Sequence, residues 1–291
     1  MILGVEVRED SIAAVALDDS GVVTKRASRD GASAESASDA VRAAMAGAAS
    51  AIGIALRDPL ESGASDIVGA IAAAADAALR PRVVTRGTAV ALAEQWRGAA
   101  KGNDHVAVLT AADVVHAGIV IDGKPFEGAH GLAGAAAWLA LNPVEREDYR
   151  KLGCLEAEVG GAGIVRRLVW RIKSGDRSRV LDMAGGDMGA IQVQQIFDAA
   201  KNGDGVSISV IRDTARYIGM AIANLVAIAD PNIVVLGGLI AENADQLLQP
   251  SQTEALRRLP PTMAETLTLV AAIMGEEAGP VGAARASMLA R

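Results

Sequence analysis

One pattern constrains this chain more than any other. Short β-prone runs alternate with longer helix-prone segments, of which 33–50 is Ala-rich and free of proline. Residues 2–7, 12–18 and 22–28 predict three strands of a meander, parted by Arg8-Glu9-Asp10 and Asp19-Ser20-Gly21. A helix is expected over 33–50 and a strand over 51–56, ended by Arg57-Asp58-Pro59. Ser65 caps a helix running to about Leu79, residues 83–85 form a strand, and 88–99 a helix. The resulting βββαβαβα order points to a mixed sheet covered by helices.

The same logic returns further on. Strands are expected over 105–112 and 114–122, the second leading into the hairpin dipeptide Asp122-Gly123. After an irregular stretch, 154–159, 163–173 and 191–201 read as helices. Over 206–229 the residues Ile211, Ala215, Ile218, Ile222, Leu225 and Ala229 repeat at three- and four-residue spacing, and Asp230-Pro231 stops the helix. A buried strand over 233–236, a helix near 243–259, a strand over 267–272 and a helix over 281–289 complete the pattern. With 291 residues, at roughly 150 per domain, the chain divides into two α/β domains: 1–105 plus 280–291, and 106–279. A ligand cleft is expected between them.

Composition narrows the function. The 60 alanines and 2% aromatic residues suit an Ala-packed α/β protein. The net charge of −7 argues against direct nucleic-acid binding, which rests on clustered Lys and Arg. Cys154 is the single cysteine, so no internal disulfide is expected, in keeping with a reducing cytoplasm. The N-terminal residues lack a basic leader, and the longest uncharged run, 128–144, is too short and too broken by Gly and Pro to span a bilayer. A cytoplasmic protein with no membrane partner is expected.

The order of segments resembles the ROK family (repressors, open reading frames and sugar kinases), relatives of bacterial glucokinase. The likeness is carried by TRGTAVALAEQWRG at 85–98, IVIDGKPFEGAHGLAG at 119–134, GCLE at 153–156, QIFDAAKNGDG at 195–205, PNIVVLGG at 231–238 and GEEAGPVGAA at 275–284. It implies the two-domain actin-like ATPase (ribonuclease H-like) fold with a central interdomain cleft. The final helix would return to the N-terminal domain.

The resemblance breaks where the chemistry belongs. The family's first phosphate turn, acid-x-Gly-Gly-Thr, is Glu6-Val7-Arg8-Glu9-Asp10-Ser11 here. Glu6 keeps the carboxylate, but both glycines are gone, and Glu9 and Asp10 would repel a polyphosphate. The second turn, Gly-Thr-Gly-x-Gly-Gly-Gly, becomes 112–118, where Gly118 alone survives. The catalytic Asp of the family's Asn-Asp pair falls on Arg86, which has no lone pair to accept a proton. Arg86 would either pair with Glu6 or another acid, or bind an anion.

The Glu-x-x-His sugar and zinc motif is Ala135-Ala136-Ala137-Trp138, and only Cys154 remains of the Cys cluster. No zinc is expected, because a structural site needs four ligands. The Pro-Gly-Pro sugar loop reads Ala55-Leu56-Arg57. Glu156 matches a sugar-contacting residue, or else sits in a helix's first turn. Gly237 and Gly238 match a turn that approaches adenosine, or else serve strand-to-helix packing.

These departures predict a catalytically degenerate member, a pseudo sugar kinase with a regulatory, ligand-binding or scaffold role. No cofactor is expected. A homodimer, a protein partner, or a small anionic or sugar ligand fits that role. An active sugar kinase with an atypical site is the rival. It would bind Mg-ATP, and Asp113 or Glu156 would have to act as base. A second rival is a transcription-linked regulator without its own helix-turn-helix, since the first strand opens at Ile2.

Overall fold

The computed structural model describes residues 1–290. They form two compact units: 1–108, 117–134 and the stretch from 273 onward make the first, and 109–116 with 135–272 the second. The first unit is thus not bounded at 105 and 280. It takes in 273–279, where Glu94 anchors the backbone, and 117–134, where Gly118 abuts Gly87.

In the first unit, β1 (Ile2–Val7), β2 (Ser11–Leu17) and β3 (Val23–Asp30) form an antiparallel meander. Helix α1 (Ala34–Ala44) leads to β4 (Ala51–Leu56), and α2 (Ala64–Ala75) to β5 (Arg82–Thr85). Both β4 and β5 join in parallel, giving the sheet order β3-β2-β1-β4-β5. One sheet face presents Leu3, Val5, Ile12, Ile52 and Ile54 to Val41 of α1 and Ile71 of α2.

The other face is flat where Gly4 of β1 stands beside Gly53 of β4. Helix α3 (Arg86–Arg97) and the last helix, α13 (Ala278–Leu289), pack on that side. A Cβ on Gly4 would lie 1.9 Å from the Pro280 carbonyl oxygen, and one on Gly53 1.7 Å from that of Ala283. Gly282 of α13 meets the Ala89 carbonyl of α3 as closely. Backbone therefore lies on backbone at three places, which is how a chain this poor in large side chains closes the unit.

A second sheet has the order β10-β9-β6-β7-β8, from β6 (Val106–Ala111), β7 (Val115–Ile121), β8 (Lys124–Pro125), β9 (Ile233–Gly238) and β10 (Leu269–Ala271). Apart from β9, β10 and the short stretch 109–116, the second unit is mainly helical. Its short helices are α4 (Glu147–Leu152), α5 (Cys154–Val159), α7 (Arg179–Met183), α10 (Leu239–Glu242) and α12 (Pro261–Thr266). The longer ones are α6 (Gly161–Lys173), α8 (Val193–Lys201), α9 (Gly205–Ala229) and α11 (Ala244–Leu256). Asp204 caps α9, and Asp230 ends it in the left-handed region at φ 41°, immediately before Pro231. Among the described residues no helix is long and apolar enough to cross a membrane.

The short helices α4, α7 and α12 are absent from the sequence reading. Each has five or six residues, too few for periodicity to register. The last helix starts at Ala278 rather than at 281, because Pro280 is tolerated in a helix's first turn.

Candidate ligand-binding site

Arg86 is the first residue of α3, whose cap Thr85 accepts the Thr88 N–H at 3.2 Å. A cation there faces the positive end of the helix dipole. Two carboxylates offset that repulsion. Arg86 Nε donates to Glu6 Oε1 at 3.1 Å, and Nη1 to both Glu9 oxygens at 3.1 and 2.9 Å. Glu6, on β1, is 4% exposed. Its second oxygen accepts from Arg8 Nε at 2.8 Å, and Arg8 Nη2 donates to the Glu276 carbonyl at 2.8 Å. The chain of charges Arg8–Glu6–Arg86–Glu9 sums to zero.

The β1–β2 turn is equally closed. Val7 pairs with Ile12, and the Arg8 N–H donates to the Ser11 carbonyl at 2.8 Å. Glu9 and Asp10 sit exposed at its tip. The turn has no glycine, and its Arg8 amide is spent inside it. A phosphate brought here would meet two carboxylates. Arg86 thus takes the ion-pair option, shared between Glu6 and Glu9.

The second expected phosphate turn is a hairpin. The Ala112 N–H donates to the Val114 carbonyl at 3.2 Å, and Val115, His116, Ala117 and Gly118 belong to β7. The surviving Gly118 has a packing role: a Cβ on it would lie 1.9 Å from the Gly87 carbonyl oxygen, in the first turn of α3. Neither turn keeps the set of glycines that the resemblance implies for holding a phosphate.

In the second unit, Glu156, Gly237 and Gly238 gather around the same hairpin. Glu156 lies in the first turn of α5, 4% exposed, and its Oε2 accepts the Val115 N–H at 2.8 Å. The Gly161 N–H donates to the Ala112 carbonyl at 3.0 Å, which fixes the start of α6 there. Gly238 has φ 63° and would place a Cβ 2.2 Å from the Ala111 carbonyl oxygen, so only glycine closes β9 onto β6. Gly237 lies against Thr110. The arrangement gives both glycines a packing role and Glu156 a backbone partner. Asp113 is exposed at the hairpin tip.

Cys154 is buried beside Tyr149 and Ala157, and Trp138 is exposed in a single 3₁₀ turn. His105 Nε2 lies 3.3 Å from Asp122. Among the described residues no three His, Cys, Asp or Glu side chains converge on a common point.

Two features escaped the sequence reading. Glu94, fully buried in the last turns of α3, accepts the N–H groups of Ala99, Ile273 and Met274 at 2.7, 3.1 and 3.0 Å. Glu158 of α5, 2% exposed, accepts from Arg146, Arg167 and the Tyr149 hydroxyl. Burial, with Glu158 adjacent, raises the Tyr149 pKa. Only an unpaired charge inside an otherwise apolar helix pattern could have signalled either carboxylate.

Comparison with known proteins gives these features a context. The ROK family model matches residues 63–288. A glucokinase of Halalkalibacterium halodurans is 30% identical over 194 residues, which is 66% of this chain and 58% of that protein. An N-acetylglucosamine repressor of Escherichia coli O157:H7 is 30% identical over 174 residues, 58% of this chain and 41% of its own. The matched regions thus span about 40 to 60% of these relatives' lengths. A solved ROK glucokinase from Streptomyces griseus, in complex with glucose and AMPPNP, superimposes with a TM-score of 0.81 over 99% of both chains at 24% identity. The chain belongs to the ROK family, and its fold is the actin-like ATPase fold.

Proposed function

We propose that this chain is a catalytically degenerate ROK protein, a pseudo sugar kinase that acts by binding or regulation. One observation carries the reading: the Arg8–Glu6–Arg86–Glu9 network. Arg86, which the resemblance aligns with the base, has no lone pair to accept a proton and spends its guanidinium on two carboxylates. The β1–β2 turn and the strand at 115–118 support the same reading, because the Arg8, Val115 and Ala117 amides are already bonded within the fold. Similarity to repressors as well as glucokinases suits a regulatory role, exercised as a cytoplasmic homodimer or through a protein partner.

The rival reading, an ATP-dependent sugar kinase with an atypical site, draws on the glucokinase relatives. It needs Asp113 or Glu156 as base, and Glu156 already holds the Val115 amide. Calorimetric titration with magnesium–ATP and a coupled assay over hexoses and amino sugars separate the two. The degenerate reading expects no turnover; turnover by the wild type would refute it.

A further inference from the structure

The second unit contains a groove between α6 and α9 that the reading above leaves unused. Its volume is about 720 Å³, within the range of roughly 300–1,000 Å³ that small-molecule sites occupy. Its wall holds four guanidiniums, those of Arg146, Arg166, Arg167 and Arg216. Two carboxylates, Glu158 and Asp213, share that wall, and Asp148 lies behind it, paired with Arg146 and Arg166. One positive charge is left over, in a chain whose net charge is −7.

The cations differ in their commitments. Arg146 and Arg167 are joined to buried Glu158 at 2.9 and 3.0 Å. Arg167 Nε is buried without a hydrogen-bond acceptor, an uncompensated donor inside the cluster. Burial lowers the Arg167 pKa, with Glu158 and Asp213 opposing. Arg216 reaches Asp213 at 3.5 Å, and its side chain is 56% exposed. That guanidinium is available to a ligand. Beside it stand an apolar floor, Leu141 and Met220, and the indole of Trp170. Trp170 is 66% exposed, a large apolar ring left in water.

We propose that this groove binds a small organic oxyanion, a phosphate or carboxylate carried on a flat apolar body. The oxyanion pairs with Arg216 and neutralises the surplus charge, and the body covers Trp170. Neither half suffices alone: a bare anion leaves the indole wet, and a neutral ring leaves the cluster uncompensated.

Phenyl phosphate is the probe, with inorganic phosphate and benzyl alcohol as its separate halves. Tryptophan fluorescence of the full chain reads binding. Phenyl phosphate is expected to give saturable quenching at one site per chain, at least tenfold tighter than either half. Arg216→Gln should weaken it about tenfold, as loss of a charge-assisted hydrogen bond does, without shifting the melting temperature. Trp170→Phe should abolish the signal. The proposal is overturned if quenching does not saturate, if inorganic phosphate or benzyl alcohol binds as well as phenyl phosphate, or if Arg216→Gln changes nothing. It is likewise overturned if sedimentation shows a dimer that Trp170→Glu dissociates and that excludes phenyl phosphate, for then a second copy occupies the groove.

Discussion

Arg86 and Glu6 stand 80 positions apart in the chain and meet at 3.1 Å, guanidinium to carboxylate, with Glu6 shared by Arg8 on its other oxygen. Arg86→Asp would replace this attraction with three clustered carboxylates. Removing one partner of a buried pair costs about 3–5 kcal/mol. We expect a loss of that order in chemical denaturation. We also expect no sugar phosphorylation, although a restored base is worth about 10²–10⁴ in rate. The closed β1–β2 turn leaves no phosphate positioned for that base. Turnover by the variant alone would mean that these turns still hold a nucleotide.

Glu94 carries the next prediction. Glu94→Ala strips the acceptor from three N–H groups at once, those of Ala99, Ile273 and Met274. These amides are only part-buried, so the variant should lose about 1–3 kcal/mol in all rather than that amount for each group. Hydrogen exchange at the Ile273 and Met274 amides should accelerate ahead of the rest of the first unit. Unchanged exchange at those two amides would count against the anchoring role.

Gly53→Ala adds a single methyl 1.7 Å from the Ala283 carbonyl oxygen, where a rigid backbone cannot yield. Overpacking of this kind costs about 1–3 kcal/mol or more. Gly69→Ala in α2, where a Cβ meets nothing within 4 Å, should be neutral or slightly stabilising. The contrast between their melting temperatures tests the close packing of α13.

Acid sensitivity should follow Asp204. Burial pushes its pKa up, but the N–H groups of Ser207 and Arg179 and the Ser178 hydroxyl outweigh burial, so the pKa lies below its ordinary 3.8. A depressed carboxyl stabilises the fold above the unfolded value and loses that contribution as pH falls through the folded one. Stability should therefore drop as pH goes below about 4. Asp204→Asn should flatten that limb and, as a substituted helix cap, cost about 1 kcal/mol or less near neutrality.

The fold was largely legible in the sequence because its signals are dense and periodic. The meander at β1–β3 and the long α9 each repeat their pattern often enough to fix element and face. The site was legible in part. Arg86 as a partner for Glu6 is one of three options in the sequence, beside another acid or a bound anion, and the resemblance rather than charge brings the two positions together. That Glu9 turns back to join it is not legible there, because an acid at a turn tip looks like a solvated charge. Gly118 survives for its fit to Gly87, 31 positions earlier, and no local pattern encodes such a contact. Glu94 and Glu158 were invisible for the same reason: their partners are amides and guanidiniums supplied by other elements.

The seating of α13 on Gly4 and Gly53 also bears on how the molecule is made. Strands β1 and β4 leave the ribosome early, yet the helix that covers their glycine face is synthesised some 230 residues after β4. Until it arrives, the Gly4–Gly53 strip of the nascent sheet lacks its covering helix, although α3 is already made. Its first strands must wait through synthesis of the entire second unit, and a premature stop before Ala278 would strand them without a lid.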